Sequence, residues 1–264
     1  ENNSSAGAIV DAMDALGVAS EYTTSFPSNL DLYSSLFVCL GIYSSNHVLS
    51  SAEGQALADY LNAGGNLYME GGDTWYYDSQ TAVHSMFGIN ATSDGSGDLG
   101  SVLGINGTIT EGMSYSYTGE NNWIDHLAAT GNGELILENE SPDYGCAVIN
   151  EGSGYKTIGL SFEFGGLSGD RSALMEQFLI FFELIQTLEA DFTASTTEIS
   201  AGEAVQFTNL SNGNPVSFSW HFEAGTPSQS SEVNPLVIYN EPGTFDVSLT
   251  VSNGNETSTL TRQD

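Results

Sequence analysis

Gly64-Gly65-Asn66-Leu67-Tyr68-Met69-Glu70-Gly71-Gly72-Asp73 is the stretch whose reading decides the fold. Ahead of it, Leu57, Tyr60 and Leu61 recur at helical spacing between Ser51 and Asn62. The pair Gly64-Gly65 ends that helix, because glycine takes a left-handed cap without a Cβ penalty. Leu67 to Met69 then read as a short buried strand. Glu70-Gly71-Gly72-Asp73 is a tight turn at the strand's carboxyl end, where open α/β sheets bind their ligands.

Working outward, residues 5–16 form an amphipathic helix with Ala8, Ile9, Ala12, Met13 and Leu16 on its apolar face, stopped by Gly17. Glu21 to Thr24 read as a short strand. Leu36-Phe37-Val38-Cys39-Leu40 is the continuous apolar run of a strand covered on both faces. Ser50-Ser51-Ala52-Glu53 is a capping box that opens the second helix. The order helix, strand, strand, helix, strand predicts a doubly wound α/β fold with a mostly parallel sheet. Such a fold calls for a further strand before Ser4. From 75 to 150 glycines and aromatics are dense, and short strands over 101–110 and 113–117 predict an antiparallel insertion. Strands at 135–138, 145–150 and 155–164 and a long helix over 172–188 complete this part.

The composition narrows the function. The chain has 264 residues, 34 of them acidic against 3 basic, a net charge of −31. Nucleic acid and anionic membrane both require cationic footprints and are excluded as partners. The acidic residues are scattered, which suits solvation in a salty or extracellular medium, or cation binding at some carboxylates. No stretch approaches the apolar length of a membrane span. Cys39 and Cys146 sit in apolar runs as two buried thiols, with a disulfide open as the alternative.

At Glu189-Ala190 helical signals stop and short alternating strands run to the end. Ser217-Phe218-Ser219-Trp220-His221-Phe222, Asn234-Pro235-Leu236-Val237-Ile238-Tyr239 and Pro242-Gly243-Thr244-Phe245-Asp246-Val247-Ser248-Leu249-Thr250-Val251 resemble a PKD domain, with Glu223-Ala224-Gly225 departing from the family's usual turn. The resemblance implies an Ig-like sandwich over 189–264, an accessory module of secreted and surface proteins. Residues 1–188, through the 36–41 strand and Ala63-Gly64-Gly65-Asn66-Leu67, resemble non-catalytic class I glutamine-amidotransferase-like domains of secreted bacterial proteins. Glu70-Gly71-Gly72 stands where the nucleophile elbow would be, and Ser161-Phe162-Glu163 lacks the family's histidine, so amidotransferase chemistry is not expected.

Glu70, Asp73 and Glu163 are expected at carboxyl ends of neighbouring strands. They could simply accept backbone N–H bonds or face water, hold a calcium ion, or serve as an acid–base pair. Trp75, Tyr76 and Tyr77 come just after Asp73, past Thr74, and suit stacking on sugar rings, or else cover the sheet edge. His84 is the only histidine near this loop, as a structural residue or a ligand contact. The sequence thus reads as a piece of a larger secreted or cell-surface bacterial protein with further domains, acting as an accessory module that binds a glycan or protein. The alternatives are an extracellular hydrolase using a carboxylate pair and an assembly unit joined through open sheet edges.

Overall fold

A computed structural model describes residues 3–254 and 256–263. The chain divides into two compact units, Glu1–Leu184 and Ile185–Asp264.

In the first unit α1 (Asn3–Ala15), α2 (Ser51–Asn62) and α3 (Arg171–Phe181) accompany one nine-stranded sheet. Its strands are β1 (Ser35–Cys39), β2 (Asn66–Glu70), β3 (Ile89–Ser93), β4 (Ser101–Gly104), β5 (Ser114–Ser116), β6 (His126–Ala129), β7 (Gly133–Asn139), β8 (Tyr144–Glu151) and β9 (Lys156–Leu160). The spatial order is β1-β2-β9-β8-β7-β4-β5, with β6 joining at β8 and β3 pairing β6. Among the described residues only the β1/β2 and β2/β9 pairs are parallel.

This corrects the sequence expectation of a doubly wound, mostly parallel α/β sheet. The chain is 33% strand and 17% helix, so β structure dominates, and the sheet is mixed and curled. The cause lies in residues 75–150. Their runs are short and interrupted by glycine, so they return by hairpins and turns, and a parallel return would need a crossover helix. Glu21 to Thr24, expected as a strand, are exposed and irregular. The last helix ends at Phe181 rather than at 188. Glu183 takes a φ of 60°, outside the helical region, and its carboxylate pairs with Lys156 at 2.8 Å.

The alternation of β2 sends its side chains to two faces. Leu67 and Met69 enter a core with Leu57 and Leu61 of α2, Trp75, Phe87 and Val148. Tyr68 points the other way, stacked on Phe37 at 5.1 Å and tilted against Phe178 of α3 at 5.8 Å. The capping box is formed: the Ser50 side chain accepts from the Glu53 N–H, and the Glu53 carboxylate accepts from the Ser50 N–H. Cys39 and Cys146 make no disulfide. No helix among the described residues is long and apolar enough to cross a membrane.

The second unit is a sandwich of two antiparallel sheets. One runs β10 (Phe192–Ala194), β11 (Glu203–Asn209), β15 (Leu236–Tyr239), β13 (Gly225–Thr226). The other runs β14 (Gln229–Ser230), β12 (Ser217–Phe222), β16 (Val247–Ser252), β17 (Thr257–Arg262). Alternate residues of both sheets fill the space between them: Phe192, Val205, Phe207, Trp220, Phe222, Val237, Leu249 and Val251. Arg262 of β17 reaches across to Asp191 at 3.0 Å and lies 5.1 Å from the centre of the Phe192 ring, pinning the last strand to the first.

Candidate functional site

The turn after β2 is held from three sides. Gly71 N–H donates to Leu160 O at 3.2 Å, and Gly72 N–H to Gly41 O at 3.1 Å. Gly72 O in turn accepts from Asp125 N–H at 2.8 Å. A Cβ on Gly72 would sit 3.0 Å from the Ile42 side chain, so the turn packs closely against the segment after β1. The turn therefore delivers its side chains to fixed places.

Glu70 is wholly buried. Its Oε2 accepts from Tyr68 Oη at 2.5 Å and from Phe164 N–H at 2.9 Å. Burial raises its pKa against these bonds. Glu163 is also buried, accepts from Glu120 N–H at 3.3 Å, and is raised by burial as well. Both carboxylates act on Cys39, Tyr68 and Tyr117, whose own pKa values are raised first by burial. Glu70 and Glu163 thus belong to one internal polar cluster.

Asp73 stands apart from that pair. One carboxylate oxygen from each of Asp73, Asp94 and Asp125 lies within 4.8 Å of the other two. Asp125 is wholly buried, and its Oδ2 accepts from Trp75 N–H at 2.8 Å and Tyr76 N–H at 2.7 Å. Burial pushes the Asp125 pKa up to about 7, with Asp73 and Asp94 adding to the rise. Burial, then Asp78 and Asp94, push Asp73 up to about 6.

The three aromatic residues after Asp73 divide. Trp75 is buried, edge-on to Phe87 at 4.9 Å, and its Nε1–H donates to Leu160 O at 2.8 Å. It lies over Gly159, where a Cβ would come within 2.8 Å of the indole ring. Tyr76 is 52% exposed and Tyr77 69%. Trp123, two residues before Asp125, is 48% exposed. His84 is buried, its Nδ1 accepting from Thr81 N–H at 2.9 Å. That bond leaves the proton on Nε2, which donates to Thr74 Oγ1 at 3.3 Å. Burial lowers its pKa, so it is a neutral brace beneath the turn.

The family model for the PKD domain matches residues 189–263. Residues 189–263 are a PKD domain. Collagenase ColA of Bacillus cereus is 32% identical over 122 residues, taking in 42% of this chain and 12% of the collagenase. The chain thus spans about an eighth of the curated relative it matches. Among solved structures, the PKD1 domain of Vibrio anguillarum Epp is 32% identical, over 30% of this chain and 93% of its own, with a TM-score of 0.26. A beta-galactosidase from Bacillus circulans sp. alkalophilus aligns over 96% of this chain and 38% of its own at 9% identity, with a TM-score of 0.50, a likeness of fold alone.

Every candidate residue precedes the PKD domain. Sequence reading placed Asp73 with Glu70 and Glu163, and passed over Asp94 and Asp125. Neither of these lies in a recognisable motif. They are brought in by the pairing of β3 with β6, whose register sets Ser93 opposite His126. The only local signal is Gly95: its φ is +70°, and a Cβ there would meet Ile124 O at 2.1 Å. Glycine is what lets the Asp94 loop close on the Asp125 segment.

The raised carboxylates carry a pH prediction. A folded-state pKa above the unfolded value means the native state holds the extra proton, so stability falls as pH rises through the folded value. In chelator, the melting temperature of the chain is expected to fall between pH 5 and pH 8. Asp125→Asn should remove at least about 1 kcal/mol of that fall, less than the worth of one pKa unit. Parallel pH profiles for the two proteins would refute the assignment.

Proposed function

We propose that this chain is a non-catalytic accessory module of a larger secreted or cell-surface bacterial protein, and that its first unit binds a glycan through the exposed face carrying Tyr76 and Tyr77. The PKD domain and its collagenase relative support the accessory role. The glycan reading rests on one observation. Tyr76 and Tyr77 expose their rings, while the Trp75 and Tyr76 N–H groups just before and within the pair are anchored on buried Asp125. Rigid, amphipathic rings present contact area at low entropic cost, and nearby carboxylates accept from hydroxyls. Against hydrolysis stands burial: Glu70 and Glu163 are closed off from solvent, and each is held through its Oε2 by donors of the fold.

The test is retention of the whole chain on insoluble polysaccharides, with collagen fibrils in parallel. The Tyr76→Ala/Tyr77→Ala variant is expected to lose retention on the bound polysaccharide by tenfold or more. Its stability should stay within about 0.5 kcal/mol of the parent for each substitution, since both rings are exposed. Retention on collagen alone, or unchanged retention of the variant, would refute the reading.

A further inference from the structure

Asp73, Asp94 and Asp125 come from three separate places in the chain: the turn after β2, the loop after β3 and the segment entering β6. Bringing three carboxylates within 4.8 Å costs repulsion and desolvation unless a cation compensates. No basic side chain does so. Lys156 pairs with Glu151 and Glu183, Arg171 donates to Gly165 O, and Arg262 pairs with Asp191. These are the chain's only three lysines and arginines.

A second observation is independent of the clustering. The two N–H bonds to Asp125 both fall on Oδ2. Its Oδ1 is buried and has no hydrogen-bond partner among the described residues, in a side chain with no solvent exposure. A buried carboxylate oxygen without a donor is expensive and calls for an explanation, which a bound ion would supply. The other two carboxylates of the cluster are what stand beside that side chain.

We propose that Asp73, Asp94 and Asp125 bind one calcium ion. The donors are all hard oxygens, which suit calcium or magnesium over the softer transition metals. Ligand number decides between the two. Calcium accepts several protein carboxylates among its six to eight oxygens, whereas magnesium holds on to its waters and is bound through one or two carboxylates. The ion would tie three loops together beneath Tyr76, whose N–H already rests on Asp125. The proposal stands apart from the glycan reading, and its test contains no glycan.

The experiment is calorimetric titration of the metal-free whole chain with calcium chloride, and separately with magnesium chloride, in 150 mM sodium chloride to screen diffuse binding to the acidic surface. One saturable calcium site is expected, with magnesium at least tenfold weaker. Asp94→Asn and Asp125→Asn should each weaken calcium at least tenfold. Glu134→Gln, which removes an exposed charge on β7, should bind as the parent does. Circular dichroism confirms the fold of each variant; Asp94 is only half-buried, so Asp94→Asn carries the test should Asp125→Asn fail to fold. Absence of a saturable site, or equal affinity in Asp94→Asn and Glu134→Gln, overturns the proposal. So does magnesium binding as tightly as calcium.

Discussion

Trp220→Ala is expected to cost the C-terminal unit about 3–5 kcal/mol, the range for truncating a large aromatic in a core. The ring is 1% exposed and sits at the centre of the sandwich. It lies 5.2 Å from Phe192, 5.9 Å from Phe207 and 5.6 Å from Phe222, so it touches both sheets. Its Nε1–H donates to Glu232 O at 2.9 Å, which satisfies the one polar atom of the side chain. A unit of this size has a total stability of roughly 4–12 kcal/mol, so the loss takes a large share of it. Trp220→Phe keeps most of the packing but strands the Glu232 carbonyl, and should cost less than the alanine. Chemical denaturation of the whole chain followed by circular dichroism reads both. A loss below about 1 kcal/mol for the alanine would mean that the two sheets do not depend on this ring.

The same residue shows why the second unit could be read from sequence and the first only in part. Trp220, Phe222, Tyr239 and Val247 belong to strands whose alternation, turn spacing and aromatic positions are local features, and the PKD resemblance condenses them. In the first unit the local signals hold where the partner is near in sequence: the Ser50–Glu53 cap, the α2 face and β2. They fail where pairing is distant. Ile89–Ser93 carries only one large apolar side chain and His126–Ala129 no β-branched residue, so neither announces itself; they become strands by pairing with each other, with β6 also meeting β8. That pairing helps reverse the expected fold class, because it extends the antiparallel part well beyond the insertion that was anticipated and leaves only two parallel pairs in the described sheet. It also assembles the acidic cluster, so the same distant contact hid both the sheet and the site. The three aromatics at 75–77 were visible as a group. What could not be seen was that Trp75 turns into the core while its two neighbours remain outside.

Glu70→Ala is expected to destabilise the first unit by about 3–5 kcal/mol. Glu70 is the acceptor for Tyr68 Oη and Phe164 N–H, and neither donor has solvent to fall back on, since Tyr68 and Phe164 are both wholly buried. Each stranded donor costs roughly 1–3 kcal/mol, and the vacated volume adds to that. Glu70→Gln separates the bonds from the charge. The amide keeps an acceptor oxygen in a similar shape, so most of the alanine loss should be recovered. Burial raises the Glu70 pKa, so the native state favours the proton on this group. The sign follows: the charged carboxylate is least welcome at high pH, and the wild-type protein loses stability as pH rises from the unfolded carboxylate range through the raised native value. Glutamine cannot lose that proton. Glu70→Gln should therefore gain on the wild type as pH increases, with thermal melts at pH 5 and pH 8 as the measurement. If glutamine proves as damaging as alanine at both pH values, the ionised carboxylate is required here, and the buried cluster of Glu70, Glu163, Tyr68 and Tyr117 holds a charge that its surroundings stabilise.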